Sequence, residues 1–295
     1  MIKYSLKSII MHIIELRVKR TNYFTMNLTA YETKKIFFSP LVKIGLVNTD
    51  WVIRRIYYFF RYNFYITDKK RKAIRLLYLK YFSPLNNNIT FIHQYGVYNA
   101  RHSTTSKALC FGIGEDIFFE EFLATKLNYK VLAGDPTPVS KKFMQDKLNI
   151  KNLNYVEKAI WTNNEVRKFY VADNFNSNET YDGDGSLTNY RNTSTFFEVQ
   201  CHNLEYFMNK LKIDEIDILK MDIEGAAIEI IEDCLLKKLF PKQITGEIEI
   251  PAISFEKTIL RLDNLLKDLS DKYIFFLFSQ KIRFNKFEFL MVRKN

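Results

Sequence analysis

The feature that most constrains this chain is a glycine turn between an apolar run and a run with helical spacing. Leu109–Phe111 is a short apolar segment, and Gly112 and Gly114 follow it with one residue between them. Two glycines at this spacing let the backbone turn sharply and let a ligand approach closely. The pattern predicts a β-strand that leads through a tight turn into a helix.

The helix and a second strand follow directly. Asp116 is expected to cap the helix, because its carboxylate can accept hydrogen bonds from the free N–H groups of the first turn. Asn128 suits a left-handed residue at the end of the helix, and Tyr129–Ala133 has the composition of a second strand. Apolar residues recur at helical spacing between these two points, at Ile117, Phe118, Phe122, Leu123 and Leu127.

An acidic residue, Asp135, follows the second strand. Ligands of open parallel sheets bind beyond the carboxyl ends of the strands, where the glycine turn and Asp135 would both lie. An acid about 20 residues past the glycines grips the ribose diol in many nucleotide-binding folds. The unit therefore indicates a cofactor with an adenosine or similar ribose, and an ordinary strand-turn-helix with a structural Asp is the alternative. Pro136 and Pro138 are expected to prevent a helix directly after Asp135.

A second informative stretch is Ile216–Ile231. Its first six residues, through Met221, predict a buried strand; Asp222 and Glu224 follow at the strand end, and Gly225 opens the next helix. Carboxylates are costly to bury without a partner, so these two are candidate site residues at the same sheet edge as the glycine turn. The alternative is that Glu224 is only a favourable charge in the first turn of the helix.

Strands and helices alternate from Ile89 onward, which is typical of a parallel α/β sheet. Pro84 and the asparagines that follow it predict a boundary between a helical extension, residues 1–85, and an α/β domain, residues 86–295. The long polar loop Asp173–Asn192 is typical of a lid or binding loop.

Further helices are predicted at Ile53–Tyr65, Lys70–Phe82, Ser140–Leu148, Leu204–Leu211 and Phe255–Leu269. Further strands are predicted at Leu153–Ala159, Val166–Val171, Phe196–Gln200, Gln243–Ile250, and an antiparallel pair at Tyr273–Ser279 and Lys286–Arg293.

The chain is basic, with a net charge of +11 over 295 residues. Such a surplus suggests a polyanionic partner, such as nucleic acid, an anionic membrane or an acidic glycan. Because the surplus is spread along the chain, a solvated basic surface is the alternative.

The cysteines and the N-terminal segment bear on location. The three cysteines lie far apart, which indicates a reduced, cytoplasmic compartment and no zinc site; we predict no metal site. The first 20 residues lack a cleavage site, and charges at Glu15 and Arg17 leave their apolar run too short for a membrane span. We therefore expect a helix that packs against the core or an interface.

Three segments carry a family resemblance. Phe111–Asp116 (FGIGED), Asp135–Pro138 (DPTP) and Leu219–Ala226 (LKMDIEGA) resemble, in order and spacing, the FkbM family of S-adenosylmethionine-dependent methyltransferases. The resemblance covers residues 89–293. It implies a Rossmann-like class I methyltransferase sheet, mostly parallel with an antiparallel last strand, and S-adenosylmethionine as cofactor.

The resemblance also implies roles for individual residues. Gly112 and Gly114 would line the methionine part of the cofactor, Asp135 would hold the ribose, and Glu157 or Ala159 would flank the adenine. Asp222 and Glu224 would face the sulfonium and the acceptor. Cys110 departs from the acidic residue that many relatives of the class carry there, so the cofactor's ammonium needs another partner, among Glu115, Asp116 and Asp222.

The implied activity is O-methylation of a hydroxyl, on a sugar, a glycan or a related small metabolite. Asp222 is the first candidate for the general base, followed by Glu249 and His202. Alternatives are an RNA ribose 2′-O-methyltransferase, favoured by the positive charge, and a non-catalytic module with a vestigial cofactor pocket. A nicotinamide dehydrogenase is disfavoured, because Phe118 and Phe119 stand where a third glycine is expected.

Overall fold

The computed structural model describes residues 68–99, 106–147, 149–172, 185–189, 192–251, 254–277 and 286–294. The N-terminal segment, the predicted helix Ile53–Tyr65 and most of the loop Asp173–Asn192 lie outside these residues.

The described residues form six helices and thirteen strands. The helices are α1 (Asp68–Tyr81), α2 (Phe118–Thr125), α3 (Pro138–Gln145), α4 (Leu204–Leu211), α5 (Ala227–Leu236) and α6 (Phe255–Leu269). The strands before α4 are β1 (Phe82–Ser83), β2 (Ile89–Ile92), β3 (Tyr95–Tyr98), β4 (Lys107–Phe111), β5 (Lys130–Gly134), β6 (Leu153–Val156), β7 (Ala159–Ile160), β8 (Glu165–Tyr170) and β9 (Phe196–His202). Those after it are β10 (Ile218–Met221), β11 (Gln243–Glu249), β12 (Tyr273–Leu277) and β13 (Lys286–Arg293).

Eight strands form the central sheet, in the order β1-β12-β13-β11-β10-β4-β5-β6. β13 runs antiparallel to both of its neighbours, and the other pairs are parallel. The order reverses direction at β4 and β10, which are adjacent although more than a hundred residues separate them. Ligands of such sheets bind at this switch point, beyond the carboxyl ends of the strands.

Both faces of the sheet are buried under helices. Successive side chains of a strand point to opposite faces, so alternate residues of one strand belong to different hydrophobic clusters. On β4, Leu109 and Phe111 belong to one hydrophobic cluster, whose helical partners include Leu204 and Phe207 of α4. Ala108 and Cys110 belong to the other cluster, with Leu123 of α2 among the helix residues. This double burial explains why Ala108–Phe111 of β4 is a continuous apolar run in the sequence, and why β10 is apolar apart from Lys220.

Most of the predicted elements are confirmed. α4 and α6 have the predicted bounds, and the terminal strand pair is antiparallel as expected. Asn128 has the left-handed φ of 56°, although α2 ends at Thr125. The predicted strand Leu153–Ala159 is interrupted and forms β6 and β7 in different sheets, and β2 and β3 form an antiparallel hairpin within the stretch read as parallel.

Two predictions about helix starts are wrong. α3 begins at Pro138 itself, because proline is tolerated in the first helical position, and Thr137 caps it by accepting from the Ser140 N–H. The residue before α2 is Ile117 rather than Asp116. Asp116 still satisfies one of the free donors, since its Oδ1 accepts from the Phe118 N–H at 2.8 Å.

The last part of the predicted extension packs on the domain. Lys80 of α1 donates to Asp263 of α6 at 2.8 Å, and the parallel pair β1–β12 places Phe82 beside Phe275. The division at residue 85 stays a prediction. No helix in the described ranges is long and apolar enough to cross a membrane.

Candidate functional site

The glycine turn lies at the switch point, against the end of β10. Gly112 has φ +75°, and a Cβ there would lie 1.6 Å from the Asp222 carbonyl oxygen, so only glycine fits. Gly114 also has a positive φ, +52°, but a Cβ there would meet nothing within 4 Å. The turn is thus tight on its inner side and open on the outer side.

Asp135 holds the glycine turn together. Its Oδ2 accepts from the backbone N–H groups of Ile113 at 3.0 Å and Gly114 at 3.1 Å. Its Oδ1 accepts from the Thr137 N–H at 2.9 Å and the Thr137 hydroxyl at 2.6 Å. These four bonds use about the full acceptor capacity of a carboxylate, and Asp135 is buried. Its ribose-binding role stays a prediction; what the structure adds is a direct role in shaping the turn.

Asp222 is held by two contacts from other elements. Its N–H donates to the Phe111 carbonyl at 3.0 Å, which ties the end of β10 to the end of β4. Its Oδ2 accepts from the hydroxyl of Tyr95, on β3, at 2.5 Å. Burial raises the pKa of Tyr95, so this hydroxyl remains a donor at neutral pH. Sequence analysis missed Tyr95, because nothing in its local pattern links it to residue 222.

Lys220 is buried beneath the site, at 2% exposure. Its Nζ donates to the Gly112 carbonyl at 2.8 Å and pairs with Glu120 of α2 at 3.3 Å. Burial alone would lower the pKa of Lys220, but Glu120 and the neighbouring acidic groups outweigh it, and the pKa is raised. The ammonium therefore fixes the glycine turn from below. The sequence feature that could have indicated this role is a lysine inside the otherwise apolar run of β10.

Four carboxylates meet at the ends of β10 and β11. Side-chain oxygens of Asp222, Glu224, Glu247 and Glu249 all lie within 4.8 Å of one another. Lys286 of β13 contacts Glu247 and lies 3.6 Å from Glu224. We name these four acidic residues the carboxylate cluster. The sequence pointed to Asp222, Glu224 and Glu249; Glu247 was noticed only as part of a strand.

The cluster is built on rigid backbone. Glu224 has the left-handed φ of 40°, and its carbonyl accepts from the Ser186 hydroxyl. The Gly225 N–H donates to Glu249 Oε2 at 2.7 Å. Glu249 is 4% exposed, and its Oε1 has no hydrogen-bond partner in the part of the chain described.

Burial and the crowding of like charges raise the pKa values of two members of the carboxylate cluster. Burial and then the Glu224 carboxylate raise the pKa of Glu249 to about 8, against the opposing effect of the Gly225 N–H. Burial and then Asp222 raise the pKa of Glu247 to about 7, against the opposing effect of Lys286. Both groups therefore exchange protons near neutral pH, as acid–base catalysts do.

The other candidates are more scattered. Glu115 and Asp116 are exposed on the glycine turn, with Asp116 3.4 Å from His93. Ala159 is buried in β7, and Glu157 pairs with Lys141 at 2.8 Å. Their cofactor contacts stay predictions. His202 stacks on Tyr206, with ring centroids 3.7 Å apart, and its Nδ1 lies 3.1 Å from Asn164 Oδ1. None of its described contacts is with the carboxylate cluster.

The fold and the glycine turn together define a class I methyltransferase. The model of the Methyltransferase FkbM domain matches residues 87–273. The chain belongs to the FkbM methyltransferase family, and its cofactor is S-adenosylmethionine. The residues fit that group, because the outer side of the glycine turn, at the carboxyl ends of the strands, is open at Gly114.

The chain is also distantly similar to several solved structures. The Methanococcus jannaschii fibrillarin pre-rRNA processing protein is 12% identical, with 65% of this chain and 68% of that chain covered and a TM-score of 0.36. Precorrin-6y C5,15-methyltransferase from Geobacter metallireducens is 13% identical, with coverages of 72% and 95% and a TM-score of 0.33. The M. jannaschii TYW2 protein in complex with AdoMet is 10% identical, with coverages of 79% and 80% and a TM-score of 0.30. None of the curated proteins matches the sequence. These distant similarities say nothing about the acceptor.

Proposed function

We propose that the chain transfers the methyl group of S-adenosylmethionine to a hydroxyl oxygen of a sugar, a glycan or a related small metabolite. The observation that carries the proposal is the carboxylate cluster, which lies at the same sheet edge as the glycine turn. A hydroxyl must lose its proton as it attacks, and this edge supplies the groups that can take it.

The bound cofactor supplies an electrophilic methyl group on a positively charged sulfur. The chain's own residues must then place the hydroxyl and receive its proton. Positioning alone can supply ~7–11 kcal/mol of such a barrier, and a general base contributes roughly 10²–10⁴-fold. In this proposal Gly112, Gly114 and Asp135 shape the cofactor-binding turn.

Two carboxylates are candidates for the base. Asp222 lies on a rigid strand end and is oriented by Tyr95. Glu249 has an oxygen without a hydrogen-bond partner among the described residues, and burial raises its pKa to about 8, so its ionised form is a stronger base than an ordinary carboxylate. Ser186, in the described part of the loop Asp173–Asn192, donates to the Glu224 carbonyl and so links this loop to the carboxylate cluster.

The charge at this edge bears on the class of acceptor. Four carboxylates and one nearby lysine make the described part of the edge acidic, although the whole chain carries +11. A phosphate backbone would be repelled there, whereas a neutral hydroxyl compound would not. We therefore propose a carbohydrate-like acceptor. The positive charge of the whole chain favours the alternative, methylation of RNA ribose.

The test is transfer from methyl-labelled S-adenosylmethionine to separate fractions of neutral glycans, small hydroxylated metabolites, RNA and lipids. We expect label in the glycan or metabolite fraction, in a form that resists mild alkali, because methyl ethers survive conditions that cleave methyl esters. Label found only in RNA would replace the proposed acceptor by the alternative. Absence of cofactor binding by calorimetry would instead identify a non-catalytic module.

A further inference from the structure

Glu249, a buried member of the carboxylate cluster, has one carboxylate oxygen, Oε1, without a hydrogen-bond partner among the described residues. An unpaired polar atom in this position costs free energy, about 1–3 kcal/mol or more for a charged group. The cost is removed if a ligand accepts the oxygen's lone pairs. We propose that the carboxylate cluster binds a hard divalent cation, of the class of Mg²⁺, Mn²⁺ or Ca²⁺, and that Lys286 is the counter-ion it displaces.

The spacing of the cluster suits a single ion. Its four carboxylate oxygens lie within 4.8 Å of one another. Oxygens on opposite sides of one Mg²⁺ or Ca²⁺ ion are roughly 4–5 Å apart, since each bond is about 2.0–2.6 Å long. Asp222, Glu224, Glu247 and Glu249 could therefore contact one ion with small side-chain movements.

The local backbone keeps the cluster in this arrangement. Glu247 and Glu249 are two residues apart on β11, so their side chains leave the same face of the strand. Gly246, the residue before Glu247, packs so closely on β10 that a Cβ would lie 1.8 Å from the Met221 carbonyl oxygen. The ends of the two strands that carry the cluster are thus in direct contact.

The charge balance also favours a cation. Among the described residues, Lys286 forms the ion pairs with the cluster. These pairs go to Glu247 and Glu224 rather than to Glu249. One ammonium cannot neutralise four ionised carboxylates. The presence of Lys286 shows that this space accommodates positive charge.

The donor atoms select the class of ion. Every member of the cluster offers oxygen, and neither cysteine nor histidine belongs to it. Oxygen-only ligand sets suit Mg²⁺, Ca²⁺ and Mn²⁺, whereas zinc and copper sites use imidazole or thiolate. An ion in this place would also lower the pKa of an acceptor hydroxyl in contact with it. The rival interpretation is a purely structural ion cluster completed by Lys286.

The test is a titration of the chelator-stripped full-length protein with Mg²⁺, Mn²⁺ and Ca²⁺, by calorimetry and by Mn²⁺ paramagnetic resonance. Neither cofactor nor acceptor is present, so the result is independent of the proposed methyl transfer. We expect one site for at least one of these ions. Glu249→Gln should weaken it by at least about 10-fold, whereas Glu165→Gln, which changes a partly exposed carboxylate paired with Arg167, should leave it unchanged.

Lys286→Gln decides between the two interpretations. If the ion displaces the ammonium, removing that competitor should tighten binding by about 10-fold or more, and the bound ion should restore any lost thermal stability. No binding by the wild type, or unchanged or weaker binding by Lys286→Gln, would overturn the proposal. Ion binding that is unchanged in a folded Glu249→Gln variant would also overturn the proposal. Because Lys286→Gln gives its own answer, a Glu249→Gln variant that fails to fold does not leave the question open.

Discussion

The hydroxyl of Tyr95 donates a hydrogen bond of 2.5 Å to the carboxylate of Asp222, across 127 residues of sequence. The bond joins the β2–β3 hairpin to the end of the central strand β10. It restricts the orientation of the carboxylate that is the first candidate for the general base.

Tyr95→Phe should reduce turnover by about 10-fold or more while cofactor affinity changes little, because Asp222 loses the group that orients it. It should also cost about 1–3 kcal/mol of stability, since it leaves a partly buried carboxylate oxygen without its donor. Tyr98→Phe on the same hairpin is the matched control, because the Tyr98 hydroxyl accepts from the exposed Asn88 side chain. Equal turnover by the two variants would show that the Tyr95 hydroxyl does not support the chemistry.

Asp222→Asn tests the base directly. The amide keeps the size of the side chain but cannot accept a proton at neutral pH, so single-turnover methyl transfer should slow by roughly 10²–10⁴-fold. The measurement uses saturating cofactor and whichever acceptor the labelling experiment identifies. A rate equal to wild type would exclude Asp222 as the base and shift attention to Glu249. Weaker cofactor binding as well would indicate that Asp222 balances the cofactor's positive charge.

Asp135→Asn should disrupt the glycine turn. An amide has one oxygen, whereas the two oxygens of Asp135 accept from Ile113 and Gly114 on one side and from Thr137 on the other. In the asparagine variant, the NH₂ group that replaces one of these oxygens would face N–H or hydroxyl donors and could not accept their hydrogen bonds. We expect calorimetric affinity for S-adenosylmethionine to fall by about 1.5–3 kcal/mol. Unchanged affinity in a folded variant would remove Asp135 from the cofactor site.

Lys220→Met should destabilise the protein by about 3–5 kcal/mol, because it leaves Glu120 as an unpaired buried carboxylate. Adding Glu120→Gln should recover part of that loss, since it removes the unpaired charge. Both the single and the double variant should bind the cofactor more weakly than the wild type, because the Gly112 carbonyl lacks its donor in each. Chemical denaturation and calorimetry separate the two effects, and recovery of both together would mean that Lys220 acts only through Glu120.

The Glu249 carboxyl predicts a pH dependence of stability in chelator-containing buffer. Its folded-state pKa of about 8 lies above its ordinary value of 4.5. Its contribution to stability is therefore fully present below pH 4.5 and is lost as pH rises through about 8. Over roughly pH 5 to 9, the wild type should lose thermal stability more steeply than Glu249→Gln, in which the group does not titrate. Parallel profiles for the two proteins would contradict the raised pKa.

The sequence by itself determined most of the elements, the glycine turn and the family. Apolar periodicity within one strand or helix is local, and so are the left-handed glycines, which is why α4 and α6 were predicted with the correct bounds. The same locality explains why Asp135 and Asp222 were predicted as site residues: each follows an apolar strand, and strand ends of a parallel sheet share one edge.

Only the tertiary structure decided which of these residues touch. The pairing of β4 with β10 and of β10 with β11 brings together residues far apart in sequence. The packing of β3 and α2 beside these strands adds the contacts of Tyr95 with Asp222 and of Lys220 with Glu120. It also adds Glu247 to the carboxylate cluster and uses the Asp135 carboxylate to hold the glycine turn. These contacts depend on strand order and burial, which set distances and electrostatics that no pattern along one segment contains.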